Sequence, residues 1–122
     1  MTNLYNNLLQ SLRLVAAPPE IQISSMPQFV SLPDEIALTF NDAYLISSQL
    51  VDENIISIQA FLLLKELSEL FDNMSQDKSL WTLQKLENDN SWKLSRQLAI
   101  KVLQELDEPF GRPNLNYINW VK

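Results

Sequence analysis

Apolar residues return every three or four positions along most of this chain, and no segment sustains two-residue alternation, so the sequence is written for helices. Leu4, Leu8, Leu12 and Val15 form the first stripe, which Tyr5 and Leu9 widen. Pro18-Pro19 cannot continue it, and the spacing predicts a helix over residues 3–16. Such a stripe packs at home or docks against another chain.

Pro18, Pro19, Pro27 and Pro33 make the next stretch an irregular strap with at most one helical turn, over residues 20–25. Ile21, Ile23, Met26, Phe29, Val30 and Leu32 are too apolar for a free linker and should pin it across the helices. Pro33 then opens a second helix, with Asp34 and Glu35 set against the positive end of its dipole. Ile36, Ala37, Phe40, Ala43, Tyr44, Ser47 and Leu50 predict one buried face reaching about Val51, followed by an exit at Asp52-Glu53-Asn54. Asn54 can take the left-handed conformation that glycine usually supplies.

Ser57 is a cap for a third helix reaching about Asn73. Its apolar arc is unusually broad, with Ile58, Phe61, Leu62, Leu63, Leu64, Leu67, Leu70 and Phe71, which marks it as the central helix of a bundle. Thr82 caps a short helix over 83–87, and Asn88-Asp89-Asn90 interrupts it. From Ser91 a last stripe runs through Trp92, Ser95, Leu98, Ala99, Val102, Leu103 and Leu106, ending before Pro109. The tail beyond carries Tyr117, Ile118 and Trp120, and either seals the bundle or reaches a second chain. The expected fold is all-α: a single domain over residues 1–122, a bundle of about five helices with a proline-rich strap after the first and a short irregular C-terminal tail. A length of 122 residues suits one core, which can bury roughly 65–70% of the surface of the unfolded chain.

The chemistry is limited by absences. The chain has no histidine and no cysteine, and Gly111 is its one glycine. Those gaps remove the commonest general base, the nucleophilic thiol, the soft metal ligands and any glycine-rich phosphate loop. The carboxylate doublets Asp34-Glu35, Asp52-Glu53 and Asp107-Glu108 stand at helix ends, where neighbours point in different directions rather than across a cleft. No calcium loop and no Glu-x-x-His motif is present. The expectation is a protein that is not an enzyme and holds no cofactor or metal, with a carboxylate-based metalloenzyme as the remote alternative.

Fifteen acidic against nine basic residues give a net charge of -6, which repels nucleic-acid phosphates and anionic membranes. The longest apolar run, Phe61-Leu62-Leu63-Leu64, is far short of a bilayer span, and the first residues lack the basic segment of a secretory signal. A cytoplasmic protein without direct nucleic-acid or membrane contact is expected. Its candidate partner-binding residues are Asp34, Glu35 and Asp42 on the second helix, Asp52 and Glu53 at its exit, and Glu66 and Glu69 on the third. If the two helices are neighbours, these residues form a ridge of carboxylates that accepts lysine and arginine from a basic protein; otherwise they are a solvated face.

The succession Leu32-Pro33-Asp34-Glu35-Ile36-Ala37-Leu38 with Phe40, Asp42-Ala43-Tyr44 and Gln49-Leu50, then Met74-Ser75, Leu80-Trp81-Thr82, Trp92, Arg96, Leu98-Ala99 and Leu103, resembles small bacterial immunity proteins of contact-dependent growth inhibition and related polymorphic toxin systems. The likeness spans residues 30–106 and rests mostly on helix starts and core positions, which speak to fold more than to partner. It implies a cytoplasmic protein that binds a cognate toxin domain tightly and blocks its active site or its access to substrate. Many such toxins are nucleases with basic surfaces, which an acidic inhibitor complements. The alternative is a helical adaptor or homodimer that uses the first helix or the tail.

Overall fold

The computed structural model describes residues 2–28 and 30–118, so the expectations placed on Phe29 and Trp120 lie outside the described residues. Four long helices make the frame: α1 (Thr2–Ala16), α3 (Leu32–Leu45), α5 (Ile58–Met74) and α7 (Asn90–Glu105). Three six-residue helices sit at the connections: α2 (Pro19–Ser24), α4 (Ser47–Asp52) and α6 (Leu83–Asn88). A single 3₁₀ turn, Lys78–Leu80, precedes α6, and there are no strands among the described residues. This is a small all-α bundle.

Each long helix packs beside the next in sequence, and α7 closes the ring against α1. The seams α1–α7, α5–α7 and α1–α3 are tight, whereas α3–α5 is loose. The inner faces are those of the sequence stripes: Leu8, Leu12 and Val15 from α1, Ile36 and Phe40 from α3, Leu64 and Leu67 from α5, and Trp92, Val102 and Leu103 from α7 are essentially inaccessible. Helices α1 and α7 each have two tight seams and are the central pair. The third helix of the sequence reading, α5, has one, and it leaves Ile58 55% and Leu62 52% exposed. Its broad arc therefore exceeds what the core takes in.

Caps carry the sequence logic into the termini. Ser57 Oγ accepts from Ala60 N–H at 3.1 Å, Thr82 Oγ1 from Lys85 N–H at 3.2 Å, and an Asp89 carboxylate oxygen from Ser91 N–H at 2.8 Å. At their C-termini α4 and α7 use residues with positive φ, Asn54 at 60° and Asp107 at 59°. Both close the paired pattern of a left-handed cap: Ile55 N–H to Leu50 C=O and Asn54 N–H to Val51 C=O, then Glu108 N–H to Leu103 C=O and Asp107 N–H to Gln104 C=O. The only glycine, Gly111, does not adopt positive φ.

One continuous helix over 33–51 is not what forms. Ile46 leaves the helical region at φ −102°, ψ 2°, and separates α3 from α4. Ile46 N–H reaches back only to Ala43 C=O, and the buried Ser47 hydroxyl donates to Tyr44 C=O at 2.7 Å. A side chain that takes a helical carbonyl in this way competes with the regular ladder and bends it. The bend turns α4 so that Leu50 is fully buried.

The strap contains one residue on which the frame depends. Gln22 is completely buried, and its Nε2 donates to Leu14 C=O at 3.0 Å and Val15 C=O at 3.1 Å, two terminal carbonyls of α1. Its Oε1 accepts from Arg96 Nη2 at 3.3 Å, and the same Nη2 donates to Leu86 C=O near the end of α6. One guanidinium on α7 thus meets the negative ends of two helices, directly or through Gln22. Burial lowers the Arg96 pKa from its ordinary value, an effect that Glu20 opposes.

The tail seals rather than departs as far as Ile118. Asn114 N–H donates to Gln10 Oε1 at 2.8 Å, Leu115 is buried, and Tyr117 Oη approaches Asn7 C=O at 3.4 Å. Gln22→Ala leaves Val15 C=O without a partner, Leu14 C=O with Ala17 N–H alone and Arg96 with Leu86 C=O alone, and should cost about 2–4 kcal/mol of unfolding free energy in urea titration. Asp107→Gly should do the opposite, gaining about 0.5–1 kcal/mol, because it removes a left-handed non-glycine residue.

Candidate functional site

Small residues open the loose seam. Ala37 on α3, Ser68 on α5 and Ser75 just past its end line a common trough, whose wider part is about 620 Å³. Phe40 and Phe71 lie beneath it with ring centroids 5.7 Å apart, while Tyr44 and Phe61 stack at 6.0 Å farther along the seam. Phe71 continues to Trp92 at 5.8 Å, and Trp92 meets Trp81 edge-on at 5.2 Å. Both indoles are anchored, Trp81 Nε1 on Met74 C=O at 3.0 Å and Trp92 Nε1 on Leu80 C=O at 2.8 Å. Trp92 is core, as its stripe predicts, whereas Trp81 is half-buried and forms a wall of the trough.

Asp34, Leu38, Asn41 and Leu45 follow one another at intervals of four, three and four along the outer side of α3, and all four are exposed. Leu38 is 52% and Leu45 68% accessible. On α5 the outer side reads Ile58, Leu62, Glu66 and Glu69, again at helical spacing and again exposed. Leu83 and Leu94 are exposed too, but their apolar companions at helical spacing, Leu86 and Leu98, are buried. Single exposed leucines are ordinary; exposed apolar pairs on each of two adjacent helices, set among carboxylates, are a candidate contact face.

The seven carboxylates singled out from sequence divide over this side of the molecule. Asp34 lines the trough together with Lys78, and Asp72 joins them from α5. Glu35 and Asp42 lie across α3, in a separate hollow with Asn7, Thr39, Tyr117 and Ile118. Leu38 borders both depressions, as a crest between them. Asp52 and Glu53 are exposed at the α4 exit, where Glu53 accepts from Gln49 Nε2 at 3.1 Å. Glu66 and Glu69 stand on the outer side of α5, away from the trough. The structure therefore brings Glu35 and Asp42 together, sets Asp34 at the trough, and leaves Asp52, Glu53, Glu66 and Glu69 exposed elsewhere instead of in a single row.

Sequence reasoning missed the apolar half of the face. Leu38 and Leu45 fall off the buried stripe of α3 and carried a signal through that mismatch alone; Ile58 and Leu62 were hidden inside the broad arc of α5. Trp81 needed its anchor on Met74 to be seen as a wall.

Among the described residues no group of three or more carboxylates gathers where a metal ion could be held, and no helix is long and apolar enough to cross a membrane. In the hollow, burial and then the Asp42 carboxylate push the Tyr117 phenol up to about 12. Burial likewise raises Tyr5, whose hydroxyl donates to Glu108 at 2.6 Å.

A raised tyrosine pKa contributes stability that is fully present below the unfolded value near 10 and is lost as pH rises through the folded one. Ultraviolet titration should therefore show Tyr5 and Tyr117 ionising only above the ordinary tyrosine range, together with loss of helicity. Replacing Leu38 or Leu62 by serine should shift unfolding free energy by no more than about 0.5 kcal/mol, since neither side chain fills the core. Phe40→Ala, directly beneath the same seam, should cost about 3–5 kcal/mol.

No protein-family model, no curated protein and no solved structure matches this chain.

Proposed function

We propose that this chain is an immunity-type inhibitor, which neutralises a basic protein toxin by stoichiometric occlusion through the face formed by α3 and α5. The observation that carries the reading is the interleaving of exposed leucines with carboxylates on two adjacent helices beside a loose, apolar-floored seam. Leu38, Leu45, Ile58 and Leu62 supply anchors that lose water on binding. Asp34, Glu35, Asp42, Asp52, Glu53, Glu66 and Glu69 supply the charge that draws in a lysine- and arginine-rich surface and sets its register. The resemblance to immunity proteins points the same way, as does a net charge of -6 opposite a nuclease surface built to hold phosphates. A cytoplasmic location fits an inhibitor that meets its toxin after entry.

Self-association is the second reading, favoured by the same exposed leucines and opposed by charge, because two such faces bring like carboxylates together. The first helix is a poor route to it, since Leu8, Leu12 and Val15 are already buried against α3 and α7.

Affinity capture from the source cells at moderate salt should recover one basic toxin domain in equal amount, and adding the purified chain should abolish that toxin's activity at one-to-one ratio. With that partner, Asp42→Lys combined with Glu53→Lys should slow association at least about tenfold and flatten its salt dependence, while Leu38→Ser should mainly speed dissociation. Unchanged kinetics in all these variants would refute the α3–α5 face as the contact surface, and a dimer dissociated by Leu38→Ser in the absence of partner would favour self-association.

A further inference from the structure

The chain has three arginines, and two of them line one apolar cavity on the side of the bundle away from the α3–α5 seam. Arg13 comes from α1 and Arg112 from the segment after α7, while Ile21, Ile100, Leu103 and Phe110 supply apolar walls around a space of about 250 Å³. Arg13 Nε donates to Pro109 C=O at 3.4 Å, which ties the start of the segment after α7 to α1. Phe110 lines the cavity and is nevertheless 59% exposed, so this wall is an edge rather than packed core.

We propose that this cavity binds a small amphipathic monocarboxylate, with its apolar body against Ile21, Ile100 and Leu103 and its carboxylate held by Arg13 and Arg112. Charge complementarity points to an anion. In a chain of net charge -6, two arginines in the lining of one apolar cavity are a local reversal of sign, and the guanidinium fork matches a carboxylate in geometry as well as charge. The two features that would oppose an anion here are already occupied. The negative end of α1 is met by Gln22, which takes Leu14 C=O and Val15 C=O and is backed by Arg96. The negative end of α7, which reaches the cavity at Leu103, is met by its own cap, with Leu103 C=O and Gln104 C=O accepting from Glu108 and Asp107 N–H. Concave, mainly apolar sites with a few convergent polar groups are the usual form of small-molecule pockets, and this one is sized for a short chain or a single ring system. It is independent of the α3–α5 face, so it survives or fails apart from the inhibitor reading.

The test is calorimetric titration of the full chain at neutral pH with decanoate, and with decan-1-ol and decyltrimethylammonium as uncharged and cationic comparators. The expected result is saturable one-to-one binding of decanoate, tighter than either comparator, with amide shifts centred on Ile21, Ile100 and Leu103. Arg112→Gln lies on an exposed segment and leaves the helices intact; it and Arg13→Gln should each weaken decanoate at least about tenfold without weakening decan-1-ol. The proposal is overturned if decanoate gives no saturable binding through the millimolar range, if decan-1-ol binds as well as decanoate, if neither arginine variant changes its affinity, or if the shifts fall elsewhere.

Discussion

The buried contact between Gln22 and Arg96 is what lets the proline-rich strap serve as structure. A helix end leaves carbonyls without partners, and a proline pair directly after α1 removes the backbone donors that would ordinarily supply them. Gln22 brings two donors from one side chain to Leu14 and Val15, and hands its own oxygen to Arg96 on α7. Arg96 also holds the end of α6 through Leu86. Four helices are thereby fixed to one another by two side chains in a place where apolar packing alone would leave polar groups stranded.

That fixed corner explains where the molecule can be open. With α1 and α7 locked as the central pair, α3 and α5 are each held firmly on one side and meet each other through aromatic rings and small residues. The aromatic succession Phe61, Tyr44, Phe40, Phe71, Trp92, Trp81 keeps the seam from parting, while Ala37, Ser68 and Ser75 keep it from filling. The outcome is a trough with an apolar floor and polar edges, the preformed kind of surface that the proposed inhibitor role calls for.

Most of the helical architecture was legible because each device is local. Ser57, Thr82 and Pro33 announce helix starts through chemistry within three residues, Asn54 announces an exit, and the stripes through Leu8 and Trp92 declare their buried faces. The parts that were not legible depend on distant partners. The break at Ile46 turns on which way the Ser47 hydroxyl points. Gln22 reads in sequence as an ordinary polar residue in a strap, and only the position of α7 makes it a buried cap. For the site, the carboxylates were visible as exposed positions, yet their grouping was not, since the crossing of α3 and α5 decides that Glu35 and Asp42 share a hollow while Asp34 joins Asp72. The exposed leucines were obscured by the general rule that leucine belongs inside, which α5 breaks with a wider apolar arc than its neighbours can cover.

Hydrogen–deuterium exchange of the free chain and of its complex with a captured toxin domain would locate the proposed contact surface, because it reads every helix at once without a substitution. The account predicts added protection concentrated in residues 34–45 and 58–72, with little change in α1 and α7, whose amides are already the best shielded. Protection confined to α1, α7 or the 109–118 segment, with α3 and α5 exchanging as in the free chain, would contradict it.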